Sequence, residues 1–254
     1  MAGGGRNRLY GLHAVRGLLD TRPEAVVAAQ VLEGSADGRL QELVGRIEAL
    51  GATVRRVRRA ELDRASGGGR HQGIVVDVAA PPEFTLGAFE DLVVARGNAL
   101  RLLILDGVED PRNLGACLRT ADAAGMDAVV VPRSRAAKLT PAALKAATGA
   151  AETVPLLYAP NLARALAWLR DAGVRLVGAD SAADRGLFES RLEPPIGLVL
   201  GGEGRGLKRL TREHCDEIVA IPMVGTVESL NVSVAAAIVM FELLRQAPAG
   251  RGGA

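Results

Sequence analysis

The chain has 254 residues, 48% of them hydrophobic and 24% charged, with a formal net charge of +2 and only 3% aromatics. That composition excludes a disordered or low-complexity chain, leaves room for one large domain or two ordinary ones, and requires cores of Ala, Val and Leu. The two cysteines, Cys117 and Cys215, lack the spacing of a disulfide framework or a zinc site, no apolar run is long enough to span a bilayer, and Met1–Arg6 has no apolar signal core. A protein of the reducing cytoplasm, away from membranes, is expected.

Residues 9–78 read as a small α/β unit. Leu12, Val15, Leu18 and Leu19 predict a helix over 9–19. Val26–Leu32 is a strand candidate. Leu40, Leu43, Val44, Ile47 and Leu50 form one stripe of a helix over 39–50, which Gly51 ends. A strand at 54–57, a short helix at 60–65 and a strand at 73–78 complete the unit. Arg55, Arg56, Arg58, Arg59, Arg64, Arg70 and His71 cluster here beside the glycine-rich stretch 67–73. They make either a solvated face or a patch that tracks RNA phosphates. With no aromatic platform, base stacking is not expected.

Ala79–Pro82 breaks the pattern, and a helix over 86–95 follows. Beyond it, strands are expected at 102–106, 128–131, 153–157, 174–178, 196–200 and 217–221. Helices are expected at 114–124, 141–147, 161–172, 206–213 and 231–245. Apolar strands alternating with helices predict a parallel sheet covered on both faces. The limits are an N-terminal domain over 7–79, a connecting segment over 80–97, a larger domain over 98–247 and a disordered tail over 248–254.

Three stretches of the larger domain carry candidate chemistry. In the first, a buried strand turns at Asp106-Gly107, Pro111 opens a helix, and the helix carries Asn113 and Arg119 off its apolar stripe, with Arg112 beside them. The plain interpretation is a surface arginine near a capping asparagine. In the second, the strand 196–200 runs into Gly201-Gly202-Glu203-Gly204-Arg205-Gly206, where backbone can approach a ligand. Neither a Walker A sequence nor the glycine pattern of a dinucleotide-binding βαβ unit is present. In the third, Ile221-Pro222-Met223 leads to Ser229-Leu230-Asn231, where Ser229 or Asn231 caps a helix that is apolar nearly all round. Such a helix is expected to be buried on every side, in the core or at a subunit interface.

Together these stretches resemble the SpoU (TrmH) branch of the knotted SPOUT methyltransferases. Asn113 with Arg119 matches the first motif, Gly201–Gly204 and Ile221–Met223 the second, and Ser229–Ser233 the third. The likeness runs from about residue 9 to 246. Through Tyr10–Val15, His71–Gly73, Asn161–Arg164 and Leu210–Glu217 it reaches the bacterial 23S rRNA guanosine-2′-O-methyltransferases. The resemblance implies a C-terminal α/β trefoil-knot domain with a parallel sheet, a small N-terminal α/β domain like a ribosomal protein, and a homodimer paired through the knot. S-adenosylmethionine is the implied methyl donor and 23S rRNA the implied partner, with no metal.

By matching positions the donor is held at Leu200, Gly201, Gly202, Ile221, Met223, Ser229 and Leu230. Arg119 is the implied catalytic residue, with Asn113, Glu203, Ser229 and Asn231 shaping the pocket. Arg55, Arg56, Arg58, Arg59, Arg70, His71 and Arg112 are the implied RNA contacts. Arginine is almost always protonated, so its first role is to orient the ribose hydroxyl or a phosphate. The expected reaction is 2′-O-methylation of a guanosine in 23S rRNA, in the peptidyl-transferase P loop. The alternatives are tRNA, an rRNA adenosine, or a non-catalytic assembly factor that binds RNA.

Overall fold

In the computed structural model, which describes residues 7–79, 84–202 and 206–247, packing divides the chain between residues 82 and 83 into two units. The N-terminal unit comprises β1 (Asn7–Tyr10), α1 (Leu12–Thr21), β2 (Val26–Leu32), α2 (Gly38–Ala49), β3 (Thr53–Val57), α3 (Arg59–Ala65) and β4 (Ile74–Val78). Its sheet runs β1-β4-β2-β3, antiparallel except for the β2–β3 pair. Val15 and Leu18 of α1 and Leu43 and Ile47 of α2 fill one face; Leu62 of α3 packs with Val57 and Val75 on the other.

The helix expected from residue 9 begins only at Leu12, because the chain first makes β1. Leu9 packs with the α1–α2 core and Tyr10 with the α3 cluster, the two-residue alternation of a strand. Gly11, at φ +93°, turns the chain between strand and helix.

The C-terminal unit comprises α4 (Leu86–Arg96), β5 (Arg101–Asp106), α5 (Pro111–Ala123), β6 (Ala128–Pro132), α6 (Pro141–Ala147), α7 (Ala150–Thr153) and β7 (Leu156–Ala159). It continues with α8 (Leu162–Asp171), β8 (Arg175–Ala179), β9 (Ile196–Gly201), α9 (Arg209–His214), β10 (Glu217–Val219) and α10 (Val232–Gln246). Six parallel strands run in the order β10-β8-β9-β5-β6-β7. Leu103 and Leu105 join the core under α5 and α10, while Leu102 and Ile104 join the core under α4 and α8. Both faces are therefore covered, as apolar parallel strands require.

Two expectations need correction. The strand expected at 153–157 starts at Leu156; Thr153 instead ends α7, and pairing of Val129 with Leu156 fixes the register. Within one chain the helix α10 is not buried on every side, so the core alternative does not hold for its whole surface. Val232, Ala236, Val239, Met240 and Leu243 face the core, while Val234, Phe241 and Leu244 are 47%, 46% and 38% exposed along one side. One face of the helix meets the sheet core, and the apolar residues on the other side stay partly exposed among the described residues.

Candidate functional site

Every strand of the large sheet points the same way, so the loops after them gather at one edge, where open parallel sheets bind ligands. β8 and β9 end there side by side, with Ala179 opposite Leu200. A cavity of about 380 Å³ opens at these ends. All seven residues expected to hold the donor line it: Leu200, Gly201, Gly202, Ile221, Met223, Ser229 and Leu230. Val232 of the third motif joins them, and walls that the motifs did not supply include Ala179, Asp180, Ser181, Gly206, Glu228 and Ala235.

The glycines at 201 and 202 answer to close backbone approach. A Cβ on Gly201 would stand 1.8 Å from the Gly206 carbonyl oxygen, and one on Gly202 would stand 2.3 Å from the Gly107 carbonyl oxygen. Two carboxylates fasten the far side of this turn. Asp180 accepts from the Ala182 N–H at 2.9 Å and the Leu207 N–H at 3.2 Å, and pairs with Arg212 at 3.2 Å. Asp106, buried at the end of β5, accepts from the Thr211 hydroxyl at 2.6 Å and from the Lys208 ammonium. Glu203 and Gly204 lie outside the described residues.

The first and third motifs meet beside the cavity. Asn231 caps α10 by accepting from the Ser233 N–H at 2.9 Å and the Ser233 hydroxyl at 2.6 Å. Its amide donates to Asn113 Oδ1 at 3.2 Å, which joins the start of α10 to the start of α5. Arg119 is not brought to this junction. Six residues beyond Asn113, it points about 120° away around α5. It is exposed, does not line the cavity, and makes no hydrogen bond or ion pair among the described residues. Arg112 is likewise exposed on the first turn of α5.

Burial pushes the thiols of Cys117 and Cys215 up to about 12, so neither is a ready nucleophile. No group of metal-ligating side chains occurs among the described residues.

The expected RNA patch of the N-terminal unit is divided. Arg55 and Arg56 are adjacent on β3 and point to opposite faces of the sheet. Arg56 pairs with Glu48 of α2 at 3.4 Å and Arg58 with Glu33 at 3.8 Å. Arg55, Arg59 and Arg70 are exposed with no side-chain partner among the described residues. His71 does not belong to that surface: it is 6% exposed, its Nε2 meets Asp63 at 3.0 Å, and its Nδ1 accepts from the Gly73 N–H at 3.0 Å. It braces the turn into β4.

Residues 101–241 match the model of the SpoU rRNA methylase family, and residues 8–84 match that of the RNA 2′-O ribose methyltransferase substrate-binding domain. The chain is 48% identical over 238 residues to the 23S rRNA (guanosine-2′-O-)-methyltransferase RlmB of Photorhabdus laumondii, covering 94% of this chain and 97% of that protein. It is 46% identical to the Escherichia coli K12 protein of the same name, covering 94% and 98%. The crystal structure of the SpoU methyltransferase AviRb from Streptomyces viridochromogenes with AdoMet superposes with a TM-score of 0.80 at 25% identity, covering 97% of this chain and 92% of that one.

Proposed function

The chain belongs to the SpoU rRNA methylase family, and from that premise we propose that it transfers the methyl group of S-adenosylmethionine to the ribose 2′-hydroxyl of a guanosine in 23S rRNA. The observation that carries the proposal is the cavity at the ends of β8 and β9, on which the second and third motifs converge. Its chemistry suits the donor. Leu200, Ile221, Leu230 and Val232 offer an apolar wall to an adenine ring. Gly201 and Gly202 leave main chain uncovered by side chains, and Asp180 and Glu228 add carboxylates suited to ribose hydroxyls or an ammonium.

When bound, S-adenosylmethionine supplies an electrophilic methyl group. The protein must then hold the ribose hydroxyl in line and help its proton leave. Arg119 is our choice for that task although it stands on α5 outside the donor cavity: its position in the first motif supports it, and its planar fork, unoccupied in the described protein, can hold a hydroxyl and a neighbouring phosphate together. The Asn113–Asn231 bond fixes α5 and α10 against each other beside the cavity. Arg55, Arg59 and Arg70 are the N-terminal side chains open to RNA phosphates, in a segment that resembles the family's substrate-binding domain.

Three further features belong to the same proposal. The C-terminal segment passes from β9 inside the sheet to β10 at its edge and returns to pack α10 on α5, a path that suits the family's trefoil knot. Two copies pair through the apolar side of α10 that carries Val234, Phe241 and Leu244. The enzyme works in the cytoplasm beside its rRNA. The tRNA, adenosine and non-catalytic alternatives have less support, because guanosine enzymes match 94% of the chain.

Mapping of ribose methylation in 23S rRNA from a strain lacking the gene tests the reaction. One guanosine of the peptidyl-transferase P loop is expected to lose its methyl group and regain it on complementation; an unchanged map refutes the proposal. Light scattering at micromolar concentration tests the pairing, which a monomer would disprove.

A further inference from the structure

We propose that the loop joining β6 to α6, residues 133–140, is a phosphate-binding surface for the RNA strand that flanks the target nucleotide. This rests on the methyltransferase function proposed above.

The sequence isolates positive charge there. Residues 128–151 carry Arg133, Arg135, Lys138 and Lys145 and no acidic residue. Arg133, Arg135 and Lys138 are exposed. A flexible basic loop would be an ordinary solvated surface, but this one is built. The Arg133 N–H donates to the Ala159 carbonyl at 2.8 Å, and the Ala137 N–H donates to the Val108 carbonyl at 2.8 Å. The Tyr158 hydroxyl donates to the Ala137 carbonyl at 3.3 Å. Lys138 donates to the Arg133 carbonyl at 2.9 Å, with its ammonium 4.2 Å from the centre of the Tyr158 ring. Arg135 sits at φ +54°, a left-handed conformation that non-glycine residues hold at a cost and that gathers at functional sites. Its guanidinium has no partner among the described residues.

Position supplies the second half of the argument. The loop leaves the same edge of the sheet as the donor cavity, and the Ala137–Val108 bond seats it on the segment that leads to Asn113. β6 lies two strands from β9, roughly 10 Å at the usual strand spacing. That distance is on the order of one to three nucleotides along an RNA strand. A nucleotide placed at the cavity therefore carries its neighbouring phosphates past the loop. Acidic groups nearby are Glu109 and Asp110 on the adjoining segment; Asp110 is engaged in capping α5 through the Arg112 N–H at 2.8 Å.

The test uses the full-length protein, a 23S rRNA fragment and a salt series. R133A/R135A/K138A removes three cations. R135G removes one while placing glycine where φ is already positive, so its unfolding midpoint is not expected to fall. With single-stranded contacts worth a salt slope of about 0.7 each, the triple variant is expected to flatten the slope of log K against log salt by about two, and R135G by about 0.7. The KM for RNA should rise about tenfold in the triple variant, with kcat and donor affinity within about twofold of wild type. Unchanged slopes in both variants overturn the inference. So does loss of kcat or donor binding without a change in slope, because the loop would then only brace the cavity. Absence of methyl transfer by the wild-type protein refutes the proposed reaction instead, and the slopes still decide whether the loop binds RNA.

Discussion

Replacing Gly201 by alanine tests the donor site at its tightest point. The new Cβ would stand 1.8 Å from the Gly206 carbonyl oxygen and 2.6 Å from the Leu207 nitrogen, whereas real Cβ contacts essentially never fall under 3.0 Å. Both neighbours are backbone, so the 206–207 segment must retreat by at least 1.2 Å, the difference between 3.0 and 1.8. The Leu207 N–H bond to Asp180, already 3.2 Å long, does not survive a retreat of that size. That bond lies within the protein, so its loss weakens the fold; because Gly201 and Asp180 both line the cavity, the same displacement is expected to lower donor affinity on the order of tenfold or more. Backbone displacement should cost stability by about 1–3 kcal/mol. The assay is calorimetric titration with S-adenosylmethionine, paired with thermal unfolding. Gly225→Ala is the control, because a Cβ there meets nothing within 4 Å and the backbone is not left-handed. Donor affinity in Gly201→Ala within about twofold of wild type, with an unchanged melt, would refute the account of the glycine turn.

Arg119→Ala is expected to lower tritium transfer from labelled donor to an rRNA fragment by about 10²–10⁴, with donor binding intact, because Arg119 lies outside the cavity and its loss leaves no void; Arg119→Lys should rescue poorly. More than about a tenth of wild-type turnover in Arg119→Ala would remove it from the reaction. A chain starting near residue 84 retains the whole donor cavity and should bind S-adenosylmethionine normally and rRNA poorly; equal RNA binding with and without the N-terminal unit would overturn its assignment. The Arg245 guanidinium, 2.7 Å from Glu242, holds that carboxyl below its ordinary 4.5, and Gln246 adds to the effect. A carboxyl lowered on folding stabilises above its unfolded value and loses that contribution as pH falls through the folded value. The stability gap between wild type and Glu242→Gln should therefore be full at pH 7 and shrink below 4.5, as read from denaturant midpoints; a gap independent of pH would refute the pairing.

The residues proposed to hold the donor were legible in the sequence where they lie on one continuous stretch. The strand β9 with its glycine turn, and the loop from Ile221 to Leu230, are such stretches, and every residue matched there to a donor position of the resembled family lines the cavity. Parallel strands deliver the loops after them to one edge, so contiguous motifs suffice there. The sheet class and its two covered faces were legible for the same reason, since apolar runs such as Leu102–Leu105 must be buried on both sides.

Pairing between distant segments was decided only by the tertiary structure. Asp180 is a cavity wall because β8 lies beside β9; along the chain it is merely an acid after a strand. Lys208 finds Asp106, and Asn231 finds Asn113, across 102 and 118 residues, and no local pattern encodes such partners. The arginine cluster reads as one patch in one dimension, yet the two-residue period of β3 sends Arg55 and Arg56 to opposite faces. His71 turns inward because the buried Gly73 N–H needs an acceptor, which a count of basic residues cannot register. The strand at Asn7–Tyr10 was hidden because Leu9 and Tyr10 also continue a helical pattern; only pairing with β4 selects the strand. The apolar composition of α10 is plain in the sequence, but which of its sides the chain itself covers depends on where the sheet lies, and that is a property of the packed fold.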